Sequence, residues 1–382
     1  MLAWVLLALV AGAIVFSALA LIGAGSYRAV PRPTLVHPVP ISILKPLSGL
    51  DEGLEDNLRS YFNQDYPDFE ILFSARHPDD PAIPVAIALT REYPHIPTRL
   101  VLTGEPPYVN AKVYALERML AEARHDLLVM ADSDTRAPRD LLRTLAAEFE
   151  DPELGLATCP YRAVPGSDIW SRLEAIGMNT EFLAGILTAR LLEGMKFGVG
   201  PCMAARRKAI EAMGGFGRFK NYLAEDFEMG RLAAELGYGN ILSSAVIEHR
   251  IGTHRRSDNF EHRLRWVRST RRSRPAGYVG QLFTYPVPLA LLLAAARPAW
   301  WPIAAAALAI RAANIWATAI WILRDPAITR RWWLVPPEEL LAFAFWIAGF
   351  FGNTVTWRGR RYLLNRDGTF ERAGKPHEPP VS

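Results

Sequence analysis

Leu127-Leu-Val-Met-Ala-Asp-Ser-Asp-Thr135 is the stretch that decides the fold. Five apolar residues run straight into two carboxylates spaced i, i+2. An apolar run this short, ended by polar turn residues, reads as a buried strand rather than a helix. The same pattern recurs upstream at residues 40–44 (PISIL), 70–74 (EILFS) and 99–102 (RLVL). Helix-period stretches near residues 53–63, 82–93, 112–123 and 139–150 alternate with these runs. Strands alternating with helices predict an α/β fold with a mostly parallel central sheet of the nucleotide-binding type. In such sheets ligands sit beyond the carboxyl ends of the strands, so acids found there carry more weight than acids elsewhere.

The whole chain of 382 residues is half apolar, with 43 basic and 39 acidic side chains and a net charge of +4. A charged fraction of 21% alongside 11 Trp and 17 Phe excludes a disordered, collagen-like or coiled-coil chain. Two cysteines, Cys159 and Cys202, exclude a disulfide scaffold and a four-Cys zinc site. No GxxxxGK[ST], GxGxxG or GxSxG motif is present, which removes the marks of P-loop, Rossmann and α/β-hydrolase proteins.

Apolar residues concentrate at the two ends. Residues 1–25 hold no charge, and Arg28 and Arg32 come directly after them. That length matches the ~20 residues needed to cross a bilayer core. With no basic segment ahead of it, the run reads as an uncleaved anchor, and positive-inside logic puts Arg28 and the residues after it in the cytoplasm. A second cluster at residues 277–357 contains apolar runs at 279–296, 300–323 and 340–357, flanked by Trp300, Trp301, Trp332 and Trp333. The expected organisation is an anchor (1–25), a catalytic domain (38–249), a basic juxtamembrane segment (250–276), C-terminal membrane helices (277–357) and a polar tail (358–382).

Four places carry chemistry. Asp132 and Asp134 can share one divalent cation, which in turn neutralises the phosphates of a nucleotide; the plain alternative is a polar strand-to-loop turn. The same Asp132-Ser-Asp-Thr135 stretch fits the aspartyl-phosphate loop of haloacid-dehalogenase-type phosphatases, which usually open with it, whereas three strand–helix units precede it here. Asp79-Asp80 comes after the second strand, either to contact a nucleobase or ribose or to cap the next helix. Leu223-Ala-Glu-Asp-Phe-Glu-Met229 sets Asp226 at a helix start, where a carboxylate takes a proton from a hydroxyl or simply caps the dipole. Finally, residues 250–274 hold nine arginines, read mainly as a lipid-facing basic helix. Sparse aromatics and the adjoining membrane runs argue against nucleic acid. Within that helix, Arg263-Leu-Arg265-Trp266 sets anion binders next to an indole.

Together these pieces resemble the D, D, D, (Q/R)xxRW pattern of family-2-like glycosyltransferases, and within that group the ceramide glucosyltransferase branch, family 21. Matching stretches are Ser42-Ile-Leu-Lys-Pro-Leu-Ser-Gly49, Asn63-Gln-Asp-Tyr-Pro67, Asp79-Asp-Pro-Ala-Ile83, Asn110-Ala-Lys112 and Ala224-Glu-Asp226. The resemblance implies a GT-A-type domain, with Asp80 at the nucleotide and Asp132 with Asp134 holding Mg²⁺ or Mn²⁺ on the diphosphate of a UDP-sugar. It implies Asp226 as base, Arg265 and Trp266 as the RW pair, and Lys112 as a nucleotide contact. His262 stands where the pattern has Gln or Arg. The implied acceptor is a lipid, ceramide or a hopanoid tetrol, which an apolar segment at residues 182–192 receives at the membrane interface unless it is a core helix.

Overall fold

A computed structural model describes residues 1–253, 255–357 and 359–373. The predicted strands form: β1 (Ile41–Pro46), β2 (Phe69–Ala75), β3 (Thr98–Leu102) and β4 (Leu127–Ala131). Further strands are β5 (Thr135–Arg136), β6 (Leu154–Thr158), β7 (Tyr161–Pro165), β8 (Cys202–Arg206), β9 (Gly239–Leu242) and β10 (Ile247–Gly252). Helices α1 (Leu2–Ala29), α2 (Leu54–Phe62), α3 (Ala82–Glu92), α4 (Ala111–Glu122) and α5 (Leu141–Glu148) come first. After them come α6 (Ile169–Gly177), α7 (Leu183–Glu193), α8 (Arg207–Ala212), α9 (Glu225–Glu235) and α10 (Arg256–Ser273).

Seven strands make the central sheet in the order β3-β2-β1-β4-β8-β6-β9. All neighbours are parallel except β8, which runs antiparallel between β4 and β6. Every residue of β2 and β4 is buried, as expected of strands covered on both faces. Ile43, registered with Ile71 and Val129, joins the core under α2, α3 and α5. The alternate residues Leu44, Leu72, Leu128 and Met130 face a second core with Val113 and Leu116 of α4. A small sheet, β5-β10-β7, stands beside the carboxyl end of β4.

Among the described residues two helices are long and apolar enough to cross a membrane: Leu2–Ala29 and Pro298–Ile322. The pair Pro275–Thr284 and Pro286–Ala296 qualifies only as a unit bent by 59°. Pro286, with no N–H to continue the helix, sits at that break. Leu2, Trp4, Val5, Trp301, Trp332 and Phe351 are left exposed, a surface that suits lipid rather than water. α1 carries Ala13 against Leu289 and Ala307 of the later helices, and Gly23 against the backbone of Leu187 in α7.

Two expectations at the C-terminus change. The run at 340–357 is not one membrane helix: the helix Val335–Gly349 stops, and Thr354–Trp357 is strand β11. The segment read as polar tail supplies β12 (Arg360–Leu364) and β13 (Phe370–Arg372), so β11-β12-β13 form a third sheet. Arg358, counted with the tail's charges, and residues 374–382 lie outside the described residues. The arginines of α10 are also less lipid-facing than expected. Arg263 grips Glu338 through two bonds of 2.9 Å, while Arg268 donates to Thr354 O, Arg271 to Phe350 O and Gly352 O, and Arg274 pairs with Glu193. α10 is thereby stapled to the C-terminal helix and to β11.

Candidate active site

Asp80, Lys112, Asp132, Asp134, Asp226, His262, Arg265 and Trp266 all line one cavity of about 1510 Å³. Asp80 accepts the backbone amides of Gly49 and Ala82, each at 3.0 Å. It therefore starts α3 and pins the loop after β1 while facing the cavity, so the capping and cavity readings coexist.

Asp132 and Asp134 point to different partners. Lys112 Nζ lies 2.7 Å from Asp132 Oδ1 and 3.4 Å from Glu225 Oε1. Burial raises the Asp132 carboxyl above its ordinary range even against the pull of Lys112, with Asp134 and Glu225 adding negative charge nearby. Burial would lower the Lys112 ammonium, but the surrounding carboxylates more than reverse this and hold it high. Asp134 Oδ2 instead meets His249 Nε2 at 3.3 Å. Burial would raise this carboxyl too, yet His249, helped by Lys45 and Lys112, brings it down to about 2. The imidazole in turn is raised by Asp134, against the effect of burial.

Asp134 Oδ1 and His249 Nδ1 are buried and have no hydrogen-bond partner among the described residues. No group of three or more His, Cys, Asp or Glu able to hold a cation occurs among the described residues. The donor set nonetheless fits Mg²⁺ or Mn²⁺, because such ions are commonly held by one or two carboxylates and completed by substrate phosphates and water.

Three residues that hold these acids in place escape a reading of the sequence. Lys45, itself fully buried in β1, donates to Asp132 O at 2.6 Å and Thr135 Oγ1 at 3.1 Å, over the Tyr61 ring at 3.7 Å. Burial depresses its ammonium to about 7. A lysine in the middle of an apolar strand is the available signal. Asn110 caps α4 through Oδ1, accepting from Lys112 N and Val113 N, while Nδ2 donates to Tyr222 O and Glu225 Oε2. His249 gives no signal, because nothing in the period-2 stretch Ile247-Glu-His-Arg-Ile-Gly252 announces its neighbour.

Asp226 opens α9 and accepts Phe227 N at 2.8 Å. Burial, reinforced by Glu225, pushes its carboxyl up to about 6. The segment Phe197-Gly-Val-Gly200 wraps it so closely that a Cβ on Gly200 would sit 2.8 Å from Asp226 Oδ2, and one on Gly198 2.4 Å from Asp226 O. Only glycine lets the backbone approach this far.

His262 is held by Glu174 through Nδ1, and its pKa falls because burial outweighs that carboxylate. Its ring meets Trp266 edge-on at 5.7 Å, and Trp266 meets Phe182 at 5.5 Å. Arg263, grouped with the anion binders in the sequence, lines the cavity beside Arg265 but commits its guanidinium to Glu338. Within residues 182–192, Leu183, Ala184 and Leu187 are core, as the core-helix alternative expects, while Gly185, Ala189 and Leu192 line the cavity.

The cavity is not confined to the acids. Its wall continues over Val15, Phe16 and Leu19 of α1 and Phe283 and Phe345 of the C-terminal helices. Comparison with known proteins gives the family and the fold. The chain is 27% identical over 231 residues to ceramide glucosyltransferase 3 of Caenorhabditis elegans, covering 60% of this chain and 50% of that protein. It is 37% identical over 98 residues to the ceramide glucosyltransferase of Komagataella phaffii, covering 25% and 19%. The chain thus spans about half the length, or less, of these curated relatives. Among solved structures, the mannosyltransferase PcManGT from Pyrobaculum calidifontis, in complex with GDP-Man and Mn²⁺, superposes with a TM-score of 0.55 at 21% identity, over 92% of this chain and 98% of that one. That likeness shows the fold, a GT-A-type domain with a mostly parallel sheet. The model of glycosyl transferase family 21 matches residues 3–370, and the chain belongs to that family.

Proposed function

We propose that the protein is a membrane-bound inverting glycosyltransferase that moves a hexose from a UDP-sugar, UDP-glucose first, to the hydroxyl of a lipid, ceramide first. One observation carries this reading: a single cavity joins the acids at the strand ends to an apolar wall built by α1 and the C-terminal helices. A water-soluble acceptor has no use for that wall. The curated relatives named as ceramide glucosyltransferases support glucose as the sugar and ceramide as the acceptor.

In this reading Asp80 and Lys112 meet the nucleotide, and Asp132 and Asp134 would hold the divalent cation, with His249 orienting Asp134 through its 3.3 Å contact. When bound, that cation offsets the charge growing on the departing diphosphate. Lys112 keeps Asp132 paired and oriented by its 2.7 Å bond. Asp226 takes the proton of the acceptor hydroxyl, which attacks the anomeric carbon from the face opposite the leaving UDP; the C–O bond to UDP breaks, and an α-linked donor gives a β-glycoside. With its carboxyl at about 6, Asp226 is ionised at neutral pH yet basic enough to share a proton in the transition state. His262, Arg265 and Trp266 close the site from α10. Arg28 and Arg32 put the catalytic domain on the cytoplasmic side by the positive-inside rule.

The test is transfer by purified protein in detergent with Mg²⁺ or Mn²⁺, offering labelled UDP-glucose and UDP-N-acetylglucosamine against ceramide, a hopanoid tetrol and diacylglycerol. One labelled β-linked lipid is expected. An α-linked product would refute the inverting mechanism, and no product from any pair would refute the function.

A further inference from the structure

The sheet β11-β12-β13 turns a single, two-part face to the rest of the molecule. Trp357 pairs with Arg360, Val355 with Tyr362, and Tyr362 with Arg372. Side chains alternate along a strand, so Val355, Trp357, Arg360, Tyr362 and Arg372 all share that face. Its inner part is apolar: Val355, Tyr362, Leu364 and Phe370 pack around Leu223, with Val109 at the edge. Phe370 N donates to Asn221 O at 2.8 Å, and Tyr222 bridges to Thr369. The sheet is therefore fastened to two loops, one entering Asp226 three residues after Leu223, the other passing into Asn110 and Lys112.

The outer part of the same face is Trp357, Arg360 and Arg372, and all three line the cavity. Among the described residues neither Arg360 nor Arg372 makes an ion pair or a side-chain hydrogen bond. Arg263, Arg268, Arg271 and Arg274, by contrast, are all occupied within the protein. Two guanidinium groups on a braced sheet, beside an indole and opening on the site, are suited to phosphoryl oxygens next to a ring.

We propose that Trp357, Arg360 and Arg372 form the outer wall of the donor subsite, the arginines taking the phosphates of the nucleotide sugar and the indole the face of one of its rings. The inference rests on reading the cavity as a nucleotide-sugar site. A phosphate-bearing lipid headgroup offers the same oxygens. The donor is favoured because the sheet packs on Leu223 and Val109, in the loops that lead into Asp226 and Lys112.

The experiment measures binding of UDP with Mg²⁺, and of uridine, to the full-length protein in detergent, for wild type, Arg360→Gln, Arg372→Gln and the double variant. Arg361→Gln, on the opposite face of β12, is the control. Each cavity-face variant should weaken UDP binding roughly 10-fold or more, as loss of a charge-assisted bond does, with uridine binding and the control unchanged. UDP affinity held within about 2-fold in the double variant would overturn the proposal. So would a loss confined to binding of phosphatidylglycerol over phosphatidylcholine vesicles, which would make the face a lipid-headgroup site. Wild type that binds no UDP at all would overturn the functional reading itself, and this inference with it.

Discussion

In the proposed mechanism Asp226 is the residue on which the chemistry turns. Asp226→Asn keeps the shape and removes the base, so UDP-sugar binding should persist while kcat drops about 10²–10⁴-fold; near-normal turnover would take Asp226 out of that role. Its carboxyl, raised to about 6, must be ionised to accept a proton. The kcat–pH profile should therefore fall on the acid side with a midpoint near 6, and Asp226→Asn should lose that limb. Asp132→Ala should instead weaken metal-dependent UDP binding, read by titrating Mn²⁺ against UDP affinity. The acids are legible in the sequence because carboxylates directly after buried strands are unusual unless they serve a ligand. Their partners are not: Asp134 and His249 are 115 residues apart, and only the sheet order brings β10 to the end of β4.

At the scale of the element, α9 and α10 hold the site by close packing and buried charge. A Cβ on Gly230 would stand 2.1 Å from the carbonyl carbon of Phe197. Gly230→Ala should push α9 off the glycine segment that wraps Asp226, lowering kcat more than UDP affinity, which steady-state kinetics beside a UDP titration would separate. The Arg263–Glu338 pair is buried, its side chains 9% and 5% exposed. Removing one partner strands a charge, at a cost of about 3–5 kcal/mol; Arg263→Met should lower the melting temperature sharply, and Arg263→Met with Glu338→Leu should recover most of the loss. The first four strands and their helices form within two residues of expectation, because short apolar runs and helix periods are local signals. The C-terminal sheet is hidden from such a reading. Thr354-Val-Thr-Trp357 continues an apolar run, and Arg360-Arg361 reads as juxtamembrane charge, although their alternation only has meaning once Leu223 and Val109 are there to receive one face.

Across the whole molecule, the cavity joins two solvents. Its acidic end belongs to the soluble domain and its apolar end to α1 and the C-terminal helices, so acceptor selection should be separable from donor binding. Leu19→Trp adds bulk to the apolar wall. It should raise KM for a long-chain lipid acceptor several-fold and leave UDP binding unchanged; equal loss of both would show that the two ends are not distinct. The most direct measurement is single-turnover transfer of labelled glucose from UDP-glucose to ceramide in detergent micelles, wild type beside Asp226→Asn, with UDP binding measured on the same samples. The account predicts a labelled glycolipid from wild type, none on the same timescale from the variant, and UDP bound by both. Glycolipid formed at equal rates by both proteins, or UDP bound with no lipid ever labelled, would contradict it.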